Sequence, residues 1–155
     1  ELFDGDIEAL VMKLDTESGG PWFLDRLESV SRSGGEGSAH VVLRHADGRL
    51  IERHATGDGP VDAAFKAIEA VTGIEVTLRK FEVRSVSEGE DAQGEALVTV
   101  EHAGRTHRGT SVTADSVESG VRAFLEVINR IELGRQSGRI AADGRAEARA
   151  AQAAV

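Results

Sequence analysis

The chain has 155 residues, 40% of them hydrophobic, with a formal net charge of −9 and an isoelectric point near 5.0. That length suits one domain with a core of its own, and the acidic balance leaves no broad basic face for nucleic acid or an anionic membrane. Cysteine and tyrosine are absent and tryptophan occurs once, which excludes disulfides, thiolate metal sites, cysteine nucleophiles and broad stacking platforms for bases.

No apolar run approaches membrane-spanning length and no signal-peptide pattern opens the sequence, so a cytoplasmic location is expected. Asp6 can cap a short helix on which Ile7, Leu10, Val11 and Leu14 share one face. Gly19-Gly20-Pro21 ends it, and Trp22, Phe23 and Leu24 follow as an apolar plug, so residues 1–24 read as a linker or docking segment. Leu27 to Ser33 suggests a strand, Gly34-Gly35-Glu36-Gly37 a turn, and Ala39 to His45 a second strand. Ala46-Asp47-Gly48 turns the chain into a third strand near Leu50 to Ala55.

Gly57-Asp58-Gly59-Pro60-Val61-Asp62-Ala63 comes next. Proline is tolerated at a first helical position, where its missing N–H would have had no partner, so the helix starts here. Val61, Ala64, Phe65, Ile68 and Val71 form its buried stripe and Gly73 ends it. The first turn leaves backbone N–H groups unpaired, and Asp62 adds a carboxylate beside them. Donors and a carboxylate within one turn match a zwitterion; an ordinary strand-to-helix turn with an acid complementing the dipole accounts for the same residues.

The same order then repeats. Ile74 to Ser87 is a strand region, Glu88-Gly89-Glu90-Asp91 a turn, and Gly94 to His102 a strand with Ala96, Val98 and Val100 on one face. Ala103-Gly104 leads into Arg105 to Val112. Thr113 can cap a helix with the stripe Val117, Val121, Phe124, Leu125 and Ile128. The two halves align at an offset of roughly 55 residues. The expected fold class is α+β: two pseudo-symmetric β-β-β-α units, residues 27–73 and 74–132, packed within a domain of residues 25–133. Open sheet edges or helix faces favour a homodimer. Only the first helix start carries Gly-x-Gly, so one ligand-binding start per chain is expected. Residues 134–155 are rich in Ala, Arg and Gly without an apolar stripe and read as a tail, helical only on meeting a partner.

Catalytic motifs are scarce. His40, His45, His54, His102 and His107 lack metal-ligand spacing, and no nucleophile elbow, phosphate loop or dinucleotide fingerprint occurs. No metal and no cofactor is expected, and a binding module is favoured over an enzyme built on the acidic turn.

Three stretches in the right order carry a more specific likeness: Gly57 to Ala64, Phe81 to Glu95, and the closing helix through Asn129-Arg130. Over about Leu27 to Ile131 the chain resembles the C-terminal regulatory domain of 2-isopropylmalate synthase, which occurs also in citramalate synthases. The resemblance implies two β-β-β-α units, a homodimer, and feedback by leucine on an acetyl-CoA-dependent synthase whose catalytic barrel precedes the domain. It implies an effector pocket at the dimer interface formed by Gly57, Asp58, Gly59, Pro60, Val61, Asp62 and Ala63, with Asp62 meeting the ammonium. Leu78, Phe81, Val83 and Ser85 would form the facing wall, with Ala92 and Gly94 across the turn and Ala114 and Ser116 completing it. Phe81 stands where many leucine-sensing relatives carry tyrosine. The metal-binding His-x-His of the synthases has no counterpart, so the chain alone is expected to be non-catalytic. An isoleucine-sensing domain of a citramalate synthase and a dimerisation module without effector are the alternatives.

Overall fold

The computed structural model describes residues 20–86 and 93–153, the last stretch from 139 onward as backbone only. The helix expected at Asp6 to Leu14, the turn Glu88 to Asp91 and the site candidate Ala92 lie outside the described residues. The elements are β1 (Trp22–Ser31), β2 (Gly37–His45), β3 (Leu50–Gly57), α1 (Pro60–Thr72), β4 (Thr77–Ser85), β5 (Gly94–His102), β6 (Arg105–Thr113) and α2 (Ser116–Ala153). They form two three-stranded antiparallel sheets, ordered β1-β2-β3 and β4-β5-β6, each followed by a helix. The α+β fold of two β-β-β-α units is therefore the one expected.

Local chemistry explains the boundaries. Gly73 closes α1 in the left-handed conformation at φ 72°, where glycine has no Cβ penalty, and its N–H donates to the Glu69 carbonyl at 2.8 Å. The β5–β6 turn places Ala103 and Gly104 at φ 51° and 77°, the pair of positive values that a two-residue hairpin matched to strand twist requires.

Both units share an irregularity. Pairing of β1 with β2 shifts register between Leu24 and Arg26, and pairing of β4 with β5 shifts between Leu78 and Lys80. The same bulge in the first strand of each sheet is independent support for the repeat.

Ala39, Val41 and Leu43 of β2 and Ala96, Val98 and Val100 of β5 point inward, alternating with outward neighbours as a half-buried strand must. The helix stripes close over them, and Phe65 of α1 stacks on Phe124 of α2 with centroids 4.2 Å apart. One continuous core thus joins the units, as neither sheet and helix could bury both faces alone.

Three expectations need correction. Trp22, Phe23 and Leu24 are not a plug before the domain: they pair with His45, Arg44 and Leu43 as the start of β1, and Trp22 is buried. Aromatic and aliphatic residues at that spacing suit a strand as well as a plug. The first strand of the second unit, β4, begins at Thr77 rather than Ile74, whose side chain is instead buried in the connection. The helix of the second unit does not stop at Leu133 but continues to Ala153, through Gly134 and Gly138. Alanine and arginine are strong helix formers, so the Ala/Arg-rich stretch extends a helix already nucleated by its buried half.

Candidate functional site

The first helix start is assembled by two strand ends. Gly57, the last residue of β3, pairs with Gly37, the first of β2. A Cβ on Gly37 would lie 2.3 Å from the Gly59 carbonyl carbon, and one on Gly57 would lie 2.3 Å from Asp62 Oδ2. The loop therefore sits directly on the sheet. Gly59 is extended at φ 178°, a conformation open to any residue, and a Cβ there would meet nothing within 4 Å. Steric necessity thus falls on Gly57 and Gly37, not on Gly59.

Asp62 Oδ2 accepts the Asp58 N–H at 3.0 Å and pairs with Lys66 Nζ at 3.1 Å. Burial raises the pKa of this carboxyl, but the Asp58 N–H and the Lys66 ammonium together outweigh it and hold it below its ordinary 3.8. A carboxylate with a depressed folded-state pKa contributes stability that is present above the unfolded value and lost as pH falls through the folded one. Asp62→Asn is accordingly expected to flatten the acid limb of a stability–pH curve below about pH 4 while leaving its slope near neutrality unchanged, as read by urea unfolding.

No side chain among the described residues caps α1. Gly59 occupies the cap position, Pro60 has no N–H, and the first helical hydrogen bond runs from the Ala63 N–H to the Gly59 carbonyl at 3.0 Å. Val61 and Asp62 therefore supply the first-turn N–H groups that need an acceptor.

The second helix start differs. Asp115 Oδ1 accepts the N–H groups of Val117 (2.8 Å) and Glu118 (3.1 Å), the counterparts of Val61 and Asp62. Thr113, expected as the cap, does another job. Its N–H donates to Ser119 Oγ at 3.0 Å, its hydroxyl lies 2.7 Å from the same atom, and Ser119 Oγ donates to the Gly94 carbonyl at 3.0 Å. Two cap-forming residues stand two positions apart here, and only geometry selects Asp115. Asp115→Ala is expected to cost about 1 kcal/mol of stability, measurable by thermal or urea unfolding.

The facing wall is coherent. Leu78, Phe81, Val83 and Ser85 pair with Val100, Val98, Ala96 and Gly94, so all four share the core-side face of the second sheet. Their spacing is irregular between Leu78 and Phe81; the bulge at Arg79 restores the common face. The helices cover the middle strands and leave much of this face open, with Leu78 43% and Val83 41% exposed. Phe81 is partly buried, its ring edge-on to Phe65 at 5.9 Å. A Cβ on Gly120 would approach Phe81 Cε1 to 2.9 Å and Val61 Cγ1 to 3.6 Å. The structure thus brings Val61 and Phe81 together around Gly120, and Gly94 against Val83.

Ala114 and Ser116 flank Asp115 at the other start. There an opening of about 230 Å³ is lined by Leu24, Leu27, Asp115, Val117, Glu118 and Arg122. A larger groove of about 570 Å³ runs between β1, β6 and α2, past Trp22, Leu24, Val112, Leu125 and Leu133, and none of the expected site residues among the described ones lines it. Lys66, Gly37 and Gly120 are neighbours of the candidate site that sequence reasoning missed. Lys66 was legible as the i,i+4 partner of Asp62; the two glycines act across the fold.

Among the described residues no helix is long and apolar enough to cross a membrane, and no group of three or more His, Asp or Glu is placed to hold a metal ion. A duplicated β-β-β-α body with an open apolar strand face is, in class, a binding and association module. The chain belongs to the LeuA allosteric (dimerisation) domain family, which matches residues 1–132. It is 47% identical over 135 residues to a 2-isopropylmalate synthase of Rhodopirellula baltica, covering 86% of this chain and 26% of that protein. A 2-isopropylmalate synthase of Xanthomonas campestris pv. campestris is 36% identical over 140 residues, covering 89% and 26%. That of Xanthomonas oryzae pv. oryzae aligns with the same identity and coverage. The chain thus spans about a quarter of the length of these relatives.

Proposed function

We propose that this domain binds leucine and, as a homodimer, conveys feedback inhibition to a 2-isopropylmalate synthase catalytic barrel in leucine biosynthesis. The observation that carries the reading is the contrast between the helix starts: one is capped by its own Asp115, while its counterpart carries no side-chain cap. The Val61 and Asp62 N–H groups would receive the effector's carboxylate. Asp62 would receive its ammonium, a role that fits a carboxylate already held ionised by a neighbouring cation.

The aliphatic side chain would lie against Val61, Phe81 and Val83, where burial contributes about 1.5 to 3 kcal/mol. The exposed apolar face of β4 is the surface on which a second copy would close the pocket. Leucine would act by binding one arrangement of the dimer more tightly than another, since equal affinity shifts no equilibrium. On this reading the transferase chemistry belongs to the barrel, and the domain itself contributes no catalytic group.

Calorimetric titration with leucine, isoleucine and valine tests the proposal. Leucine is expected to give saturable heat and to stabilise the fold by about 2.7 kcal/mol at a hundred times its Kd. Isoleucine binding tighter than leucine would reassign the sensor to a citramalate synthase. No heat from any of the three at millimolar concentration would leave a dimerisation module alone.

A further inference from the structure

Asn129 is buried in the closing helix, nine residues along the chain from Gly120. Its Oδ1 accepts the Trp22 N–H at 2.9 Å and its Nδ2 donates to the Trp22 carbonyl at 2.8 Å. A single side chain thus holds both backbone groups at the start of β1, as a neighbouring strand would. The fit is tight: a Cβ on Gly20 would lie 2.1 Å from Asn129 Cβ.

The same helix touches the candidate pocket at its other end. Gly120 packs on Phe81 so closely that a Cβ there would fall 2.9 Å from the ring. Between Gly120 and Asn129 the helix rises about 13 Å. Val121, Phe124, Val127 and Ile128 on this stretch are essentially fully buried, so it moves as one body.

We infer that α2 relays occupancy of the amino-acid pocket to the point where the preceding chain enters the domain, with Asn129 as the positioning residue that grips Trp22. The inference rests on the amino-acid-binding reading above. An effector seated against Val61 and Phe81 displaces the Phe81 ring, and Gly120 offers no side chain to absorb the displacement. The helix shifts, and the two hydrogen bonds of Asn129 carry the start of β1 with it. Coupling of this kind requires two arrangements that the ligand distinguishes, and the rod supplies the physical connection between them.

The molecule carries its own reporter. Trp22 is the only tryptophan, its ring packs edge-on against His45 at 4.7 Å, and its buried Nε1 has no hydrogen-bond partner among the described residues. The 155-residue chain is titrated with leucine while Trp22 fluorescence and calorimetric heat are followed together. Fluorescence is expected to change with the same midpoint as the heat. Asn129→Ala removes both hydrogen bonds, and Gly20→Ala places a Cβ 2.1 Å from Asn129 Cβ, so the start of β1 must separate from the helix while the helix sequence is unchanged. Each variant is expected to bind leucine within about threefold of the wild type while losing most of the fluorescence response. If neither variant folds, the wild-type titration decides alone, through the presence or absence of a Trp22 response at the calorimetric midpoint. Calorimetric binding without a Trp22 response, or variants that respond as the wild type does, would overturn the relay and leave the pocket standing. Absence of calorimetric binding would overturn the pocket, and the relay with it.

Discussion

Phe124→Ala is expected to lower the unfolding free energy by about 3 to 5 kcal/mol, the range for deleting a large ring from a packed core. Phe124 is 1% exposed and lies where the two units meet, stacked on Phe65. Phe65 in turn touches Phe81, so the three rings link α1, α2 and β4. Removing the Phe124 ring leaves a cavity between the helices that neither sheet can collapse into, because the inward residues Val41, Leu43, Val98 and Val100 are already fully buried. Urea unfolding checks this, with Leu50→Ala, a residue 61% exposed, expected to change stability by no more than about 0.5 kcal/mol. A Phe124→Ala variant as stable as the wild type would mean that the units are not joined through these rings.

Gly57→Ala is expected to cost about 1 to 3 kcal/mol and to abolish leucine binding, whereas Gly59→Ala leaves stability nearly unchanged. The two residues flank Asp58, yet their surroundings differ. A methyl group on Gly57 collides with the Asp62 carboxylate and approaches the Ala63 nitrogen to 2.8 Å, so the first turn must move off the sheet. A methyl group on Gly59 enters open space. A stable Gly59→Ala protein therefore separates folding from recognition. If its leucine affinity falls at least tenfold, by about 1.4 kcal/mol, the effector approaches this backbone closely. If affinity is unchanged, the carboxylate lies elsewhere on the turn. Denaturation and calorimetry on the same preparations give both readings.

Much of this was written in the sequence, for reasons particular residues make plain. Pro60 and Gly73 bracket α1 because each has a conformational property that no other residue shares, and Gly94 to His102 shows its strand through strict alternation. Less was legible where a choice depends on contacts made across the fold. Thr113 and Asp115 are both good caps, and the Thr113 hydroxyl is taken up by Ser119 Oγ and the Asp115 carbonyl. Trp22 to Leu24 could be plug or strand until His45 and Leu43 appear as partners. Of the candidate site, the helix start could be read locally. Its bed, Gly37, and the small residue behind its wall, Gly120, lie 20 and 63 residues from Gly57 and carry no local mark of their role. The common face of Leu78 and Phe81 was equally hidden, since three-residue spacing places them on opposite sides of a regular strand.

That bulge gives β4 a phase. A strand is a two-state code in which each residue points in or out, and Arg79 is the extra symbol that resets the reading between Leu78 and Lys80. Deleting Arg79 would leave a regular hairpin with β5 in which Leu78 keeps its place opposite Val100, whereas pairing Arg79 as an ordinary strand residue would turn Leu78 and all that precedes it in the strand to the other face. The first unit carries the same reset at Asp25, ahead of Leu27. In each half a single unpaired residue decides which side chains of the first strand face the interior and which face away from it.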